Sequence, residues 1–273
     1  MKEVAMPASR RLPLASSFVA MLFAAAALSA APSSGIAAEA RSPFFRSITI
    51  TKSGLFEQGS PIEIGAGATA VAVMADNVTV DCRGNAVKGP GGPGTVGIDI
   101  RGRRNVVVRN CIFDGLGIAV RASGATNVRV ERSQIDGRDL GGMPPNVEIG
   151  VLLVNTRGAS VVDNVITDTF LGVFVRGGGS GGNRIFGNTL AGGDHGMLGI
   201  CYNPAEGEGP AGPDGDFVYN NLVSHFNTAI QISAGSQDNV FAGNTLAAFV
   251  MAVEEATPGS NVIEENHETT PAP

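Results

Sequence analysis

A chain of 273 residues with 38 glycines, 16% charged residues and no tryptophan has the composition of many short strands and turns, not that of a helical protein. Its net charge of -6 speaks against nucleic acid as a partner and leaves cationic or metal ligands open. Length alone permits one large domain or two small ones.

The N-terminal segment differs in kind from the rest. Lys2, Arg10 and Arg11 precede an apolar run from Phe18 to Ala27 and then small residues, which is the layout of a secretory signal peptide. Cleavage after Ala31, Ala38 or Ala40 fits comparably. On this reading residues 1–40 are removed and the mature chain is secreted or periplasmic. No later apolar run reaches the roughly 18 residues of a membrane helix, so no span is expected after removal of the signal.

Residues 41–266 are dominated by a repeat. Short polar-apolar units begin at Asn77 (NVTVDC), Asn105 (NVVVRN), Asn127 (NVRVER), Ala159 (ASVVDN), Asn183 (NRIFGN), Asp216 (DFVYNN), Asn239 (NVFAGN) and Asn261 (NVIEEN), at intervals of 28, 22, 32, 24, 33, 23 and 22 residues. Each unit continues into a second short apolar run and then a third that opens on glycine or alanine, such as GIDI at Gly97 or GVFV at Gly172. The runs are too short for helices. Three strands and three turns in about 22 residues predict one coil of a parallel β-helix, whose coils bury their apolar faces by stacking. The sixth position of the units is Asn in six of eight cases, which predicts stacked side-chain amides and a turn that tolerates unusual backbone angles.

These units resemble the right-handed parallel β-helix family, the pectate-lyase-like superfamily, from Ile48 to about Asn266. The resemblance implies an all-β, single-stranded right-handed solenoid, here of about eight coils. It says little of function, because the scaffold serves lyases, hydrolases, epimerases, phage tailspikes and adhesins. The polygalacturonase residue set is absent, and GDHG at Gly193 is only superficially similar to its G-H-G. Lyases of the family use clustered calcium-binding acids with an arginine base, and mannuronan-epimerase-type sites place Asp and His together. GGDHG is compatible with the latter, without the longer signature.

Lengthened intervals mark loops, where a repetitive scaffold usually carries function. They are Lys88 to Val96, Gly137 to Glu148, and Asn203 to Gly215, the last with Glu206, Glu208 and Asp214 as a candidate cation-binding rim. The tenth position of successive units reads Ala86, Asp114, Asp136, Asp168, Gly192, His225 and Ala248, with Asp194 and His195 inserted just after Gly192. That predicts a column of acids and imidazoles along one edge, about 5 Å apart. Asp-Gly at Asp114 and Asp136 is also ordinary turn chemistry. Arg101, Arg121 and Arg176 are placed at equivalent positions after the glycine-led strands, and Arg138 follows Asp136.

The expected function is therefore an exported β-helix that binds, and as an enzyme would cleave or epimerise, an acidic polysaccharide or cell-envelope glycan. In that scheme His195 is the general acid or base and Asp194 orients it. Asp136 and Asp168 supply the second acid-base group or, with Asp114, hold Ca²⁺, and Arg138, Arg176 and His225 bind substrate. The alternative is a non-catalytic cell-envelope scaffold or adhesin. Among the cysteines, Cys82, Cys111 and Cys201 are an odd number and are expected as small buried hydrophobes, although Cys82 and Cys111 would meet on neighbouring coils. The polar tail 267–273 is expected to fray.

Overall fold

A computed structural model describes residues 41–92, 94–138, 148–204 and 211–269. The N-terminal segment assigned to the leader lies outside these, as do Glu206 and Glu208 of the expected cation rim.

The short apolar runs are strands, stacked in parallel into three sheets. Sheet 1 has ten strands, from Arg41–Phe44 to Val262–Glu264; sheet 2 has nine, from Ile48–Ile50 to Met251–Glu255; sheet 3 has nine, from Ile62–Glu63 to His267–Thr269. The chain visits sheets 1, 3 and 2 in each coil and makes about nine turns, against the eight expected. His267–Thr269, assigned to the fraying tail, pairs in register with Thr245–Ala247, because the open edge of sheet 3 offers backbone partners to any three extended residues. Among the described residues no helix is long and apolar enough to cross a membrane.

Alternation decides which side chains enter the core. In sheet 1 Val80, Val108, Val130, Val161, Ile185, Val218 and Phe241 stand one above another, all fully buried. Phe113, Ile135, Ile166, Leu190, Val223 and Leu246 do the same in sheet 3. The glycine near the start of four sheet 2 strands, Gly97, Gly150, Gly172 and Gly199, has a packing reason: a Cβ on Gly172 would strike the carbonyl oxygen of Gly199 in the next coil and the Leu190 side chain.

Two asparagine ladders hold the corners. In one, the Oδ1 atoms of Asn164, Asn188, Asn221, Asn244 and Asn266 each accept the backbone N–H of the preceding rung at 3.0 Å. Asn188 Nδ2 also donates to Asn221 Oδ1 at 2.9 Å and to the Val161 carbonyl at 2.8 Å. The unusual backbone angle expected of these residues falls on their predecessors instead, Asp163, Gly187, Asn220, Gly243 and Glu265, with φ between 52° and 66°. The second ladder is built from the first letters of the last four units: Asn183, Asp216, Asn239 and Asn261. At its acid rung, Asp216 is fully buried and accepts from Asn183 N at 2.7 Å and Nδ2 at 3.1 Å. Burial pushes its carboxyl above the usual range, against the opposing pull of those hydrogen bonds.

The expectation of three unpaired cysteines is corrected for two of them. Cys82 and Cys111 form a disulfide, their Cα atoms 4.7 Å apart on adjacent coils. Cys111 occupies the corner position that asparagine holds further along, and its N–H donates to Ser133 Oγ. Cys201 is free and buried, its thiol pushed up to about 12 by burial, which makes it unreactive.

Asn188→Ala strands the buried N–H and Nδ2 donors of Asn164 and takes the donor away from the Asn221 Oδ1 and Val161 carbonyl acceptors, and should cost on the order of 3 kcal/mol in urea unfolding, at about 1–3 kcal/mol per unsatisfied buried group. Because the Asp216 carboxyl is raised in the folded state, its contribution is full below the unfolded carboxylate range and is lost as pH rises through the folded value. Asp216→Asn should therefore match the parent in thermal midpoint near pH 4 and exceed it increasingly towards pH 7.

Candidate functional site

On sheet 3 each three-residue strand points its middle residue inward and its first and third outward. The outward third positions read Lys88, Asp114, Asp136, Thr167, Ala191, Ser224 and Ala247 in register. Asp114 and Asp136 are thus neighbours on adjacent rungs, as expected. Asp168 and His225 are not in that column. Each lies one residue further on, in the left-handed region with φ of 50° and 55°. The unit counted from Ala159 starts one residue late, because Ser160-Val161-Val162 offers apolar residues to both faces and its pattern does not choose a register.

Lys88, Asp114, Asp136 and Thr167, with Ile112 and Gln134 beside them, line a cleft of about 270 Å³. Arg138 stands beside the cleft, against Asp114. Its guanidinium pairs with Asp114, its backbone N–H donates to Asp136 Oδ1 at 2.8 Å, and its side chain lies over Gly115, where a Cβ would be 3.2 Å from Arg138 Cδ. Lys88 Nζ is 3.6 Å from the same Asp114 carboxylate. The cations of this cleft are therefore already balanced by its acids. Asp136 is exposed and Asp114 half-buried, so carboxylate oxygens face the cleft as acceptors for hydroxyl groups.

Asp194 and His195 sit in a 3-10 turn, Gly193–His195, that bulges between coils, and both are exposed. Gly192 and Gly196 let this turn close, since a Cβ on either would strike the carbonyl oxygen of His225, and the Asp168 carboxylate lies against Gly193. Asp194 and His225 line a second, more open depression with Phe226, Asn227, Phe249 and Val250. The proposed catalytic group is thus divided: Asp136 belongs to the first cleft, Asp194 to the second, and Asp168 lies by the turn between them. Arg176 is elsewhere, on the outer face of sheet 2, with its guanidinium 5.8 Å from the Phe174 ring centroid. The expected equivalence of three arginines holds for two of them: Arg101 and Arg176 stand in one column through Ser123 and Val154. Arg121 does not, since it aligns with Asp99 and binds it through two hydrogen bonds of 2.8 Å.

Among the described residues no three His, Cys, Asp or Glu side chains gather closely enough to hold a metal ion, and Asp114 is engaged by Arg138 and Lys88.

The sequence reading overlooked the outer face of sheet 1. Phe186 and Tyr219, on adjacent rungs, stack with ring centroids 5.0 Å apart and planes within 1°. The signal was in NRIF and DFVY, two units whose aromatic residues align once phenylalanine is counted with tyrosine.

With three parallel sheets, in-register rungs and corner ladders established, the comparison with known families is direct. The family model of the right-handed beta helix region matches residues 34–203. The chain belongs to this right-handed beta helix family. No curated protein matches it. Among solved structures it is similar to DFA-IIIase from Arthrobacter chlorophenolicus A6, determined without its lid, with 13% identity, TM-score 0.59, and 84% of this chain and 68% of that one covered. The Dettilon tailspike protein gives 14% identity and TM-score 0.54 over 85% of this chain and 55% of that one. GH136 lacto-N-biosidase from Eubacterium ramulus gives 12% and 0.55 over 85% and 45%. At these identities the likeness is one of fold, and the chain spans about half of the latter two.

Asp194→Ala, on an exposed turn, should change unfolding free energy by less than about 0.5 kcal/mol. Gly196→Ala should cost about 1–3 kcal/mol in the same assay, because the added methyl has no room beneath the turn.

Proposed function

We propose that this right-handed beta helix binds a glycan across the outward face of sheet 3, in the cleft between Lys88, Asp114, Asp136 and Arg138. The observation that carries the reading is the in-register carboxylate pair on adjacent rungs. It is set among apolar side chains suited to the C–H faces of sugars, with Gln134 and Thr167 as further hydrogen-bonding groups. Support comes also from fold relatives solved with saccharides: a DFA-IIIase in complex with DFA-III and a tailspike of bacteriophage HK620 in complex with a hexasaccharide.

As an enzyme, the chain would use Asp114 as nucleophile and Asp136 as the acid-base group. Neighbouring strands are about 4.8 Å apart, close to the roughly 5–5.5 Å separation of the two carboxyl groups in retaining glycosidases. Arg138 and Lys88 pair with the Asp114 carboxylate, and the exposed Asp136 beside it is the group placed for proton transfer. The non-catalytic scaffold or adhesin is the second reading, favoured by the same ion pairs, which give Asp114 a structural duty, and by the separation of His195 from Asp136. An acidic polysaccharide is the narrower expectation for the ligand. In this cleft its carboxylates would have to displace Asp114 from two cations, so uncharged sugar units fit better here. Export forms part of the proposal, supported by the Cys82–Cys111 disulfide, since such bonds persist in oxidising compartments.

Residues 41–273 incubated with a panel of neutral and acidic oligosaccharides should bind at least one in calorimetry. Any hydrolysis should retain anomeric configuration by NMR. Asp136→Asn should lower turnover at least about a hundredfold and weaken binding at the cleft, where Asp136 accepts from sugar hydroxyls. Binding without products in every case would establish the scaffold reading, and no binding at all would remove the glycan.

A further inference from the structure

The outer face of sheet 1 carries a block of four side chains that neither the fold nor the sheet 3 cleft uses. Arg184 aligns with Phe217 and Phe186 with Tyr219 on adjacent strands. Residues two apart on one strand face the same way, so the four form a patch roughly 7 Å by 5 Å between positions. Phe217 is 44% exposed, Arg184 is exposed, and Phe186 and Tyr219 are half-buried. A folded chain gains by covering aromatic surface of this kind, and here the next rung provides only a small side chain. Tyr219 aligns with Ala242 and Ala242 with Glu264. The Phe186–Tyr219 stack therefore ends at a methyl group, with the height of one rung left beside the second ring.

Charge on this sheet is distributed unevenly. Arg109 is paired with Asp81, and Arg129 and Arg132 with Glu131. Arg184 makes no ion pair among the described residues, and it stands diagonal to Tyr219. A free guanidinium beside an aromatic platform is complementary to a group with an apolar flat face and a carboxylate at its edge. The ring presents its negative face to C–H groups, while the guanidinium fork takes a carboxylate through two parallel hydrogen bonds.

From this we infer that Tyr219, Phe217 and Arg184 form a second glycan-binding surface, on a different sheet from the cleft, that takes a carboxylate-bearing sugar unit. The sugar ring continues the aromatic stack over Ala242, and the Arg184 side chain, rooted two rungs away, extends past Phe217 to its carboxylate. The inference rests on the glycan reading and deepens it, since it assigns acidic sugar units to sheet 1 and uncharged ones to sheet 3. A chain long enough to turn the corner between sheets would engage both.

The absence of tryptophan gives a direct readout. Emission arises from Tyr202, which is fully buried against Phe241, and from Tyr219. Titration with hexamers of galacturonate and of mannuronate, with maltohexaose as the neutral control, should change tyrosine emission saturably for a uronate hexamer and not through this site for maltohexaose. By calorimetry Tyr219→Ala and Arg184→Ala should each weaken that binding about five- to tenfold. Tyr219→Phe should keep the affinity and lose the fluorescence change, and Ala242→Phe should block the site by filling the vacant step of the stack. Uronate binding that survives Tyr219→Ala and Ala242→Phe unchanged, or that is lost only with Asp136→Asn, overturns the second surface and leaves the cleft in place. No binding of either uronate hexamer overturns the inference, while neutral-sugar binding at the cleft would still stand. A concentration-dependent dimer abolished by Phe217→Ala would assign the face to a second copy of the chain and overturn it as well.

Discussion

Stacking in parallel and in register imposes one demand on the whole molecule: whatever one coil buries at a given place, the next must be able to receive. Apolar side chains meet the demand by size alone, and the columns beneath sheets 1 and 3 are filled by Val, Ile, Leu and Phe in varying order. Polar groups at the corners meet it only with an identical partner, because each Asn amide must both accept from one neighbour and donate to the next. The ladder through Asn164, Asn188, Asn221, Asn244 and Asn266 is the result. It ends towards the N-terminus at Ser133, and the corner then passes to Cys111 and its disulfide with Cys82. One covalent bond there takes the place of the amide stack.

The same demand frees the outward face. Residues that point away from the core need match nothing above or below them, so charge, hydroxyl and aromatic groups can vary from rung to rung. Sheet 3 uses this freedom for Lys88, Asp114 and Asp136, and sheet 1 for Arg184, Phe186, Phe217 and Tyr219. The rung spacing then becomes a ruler for function, since side chains on adjacent strands are held about 4.8 Å apart by backbone hydrogen bonds that no ligand has to organise. Asp216 breaks the pattern in the other direction. It is an acid placed in a corner made for amides, and the structure supplies hydrogen bonds from Asn183 without relieving the burial of its charge.

Much of this was legible in the sequence, for a physical reason: a repeat enforced by stacking leaves its period in the residues. The units beginning at Asn105 and Asn127 gave the correct rungs, and so the Asp114–Asp136 neighbourhood. The unit at Ala159 did not, because Val161 and Val162 are both apolar and both buried, so alternation cannot tell inside from outside. That slip of one residue put Asp168 and His225 into a column that Thr167 and Ser224 occupy. The ion pairs of Asp114 were also invisible, because Lys88 and Arg138 reach it from an adjacent rung and from the turn that follows the next strand. Which aromatic residues stack became visible only with the true register of Arg184–Phe186 against Phe217–Tyr219.

Ligand contacts fall on outward faces at rungs defined by this register. Amide chemical-shift mapping of the isotopically labelled protein during titration with a neutral oligosaccharide that it binds tests this most directly. Perturbations should cluster at residues 86–88, 112–115, 134–138 and 165–168, with the ladder amides of Asn188 and Asn221 unmoved. Perturbations confined to sheet 2, or spread evenly over all three sheets, would contradict it.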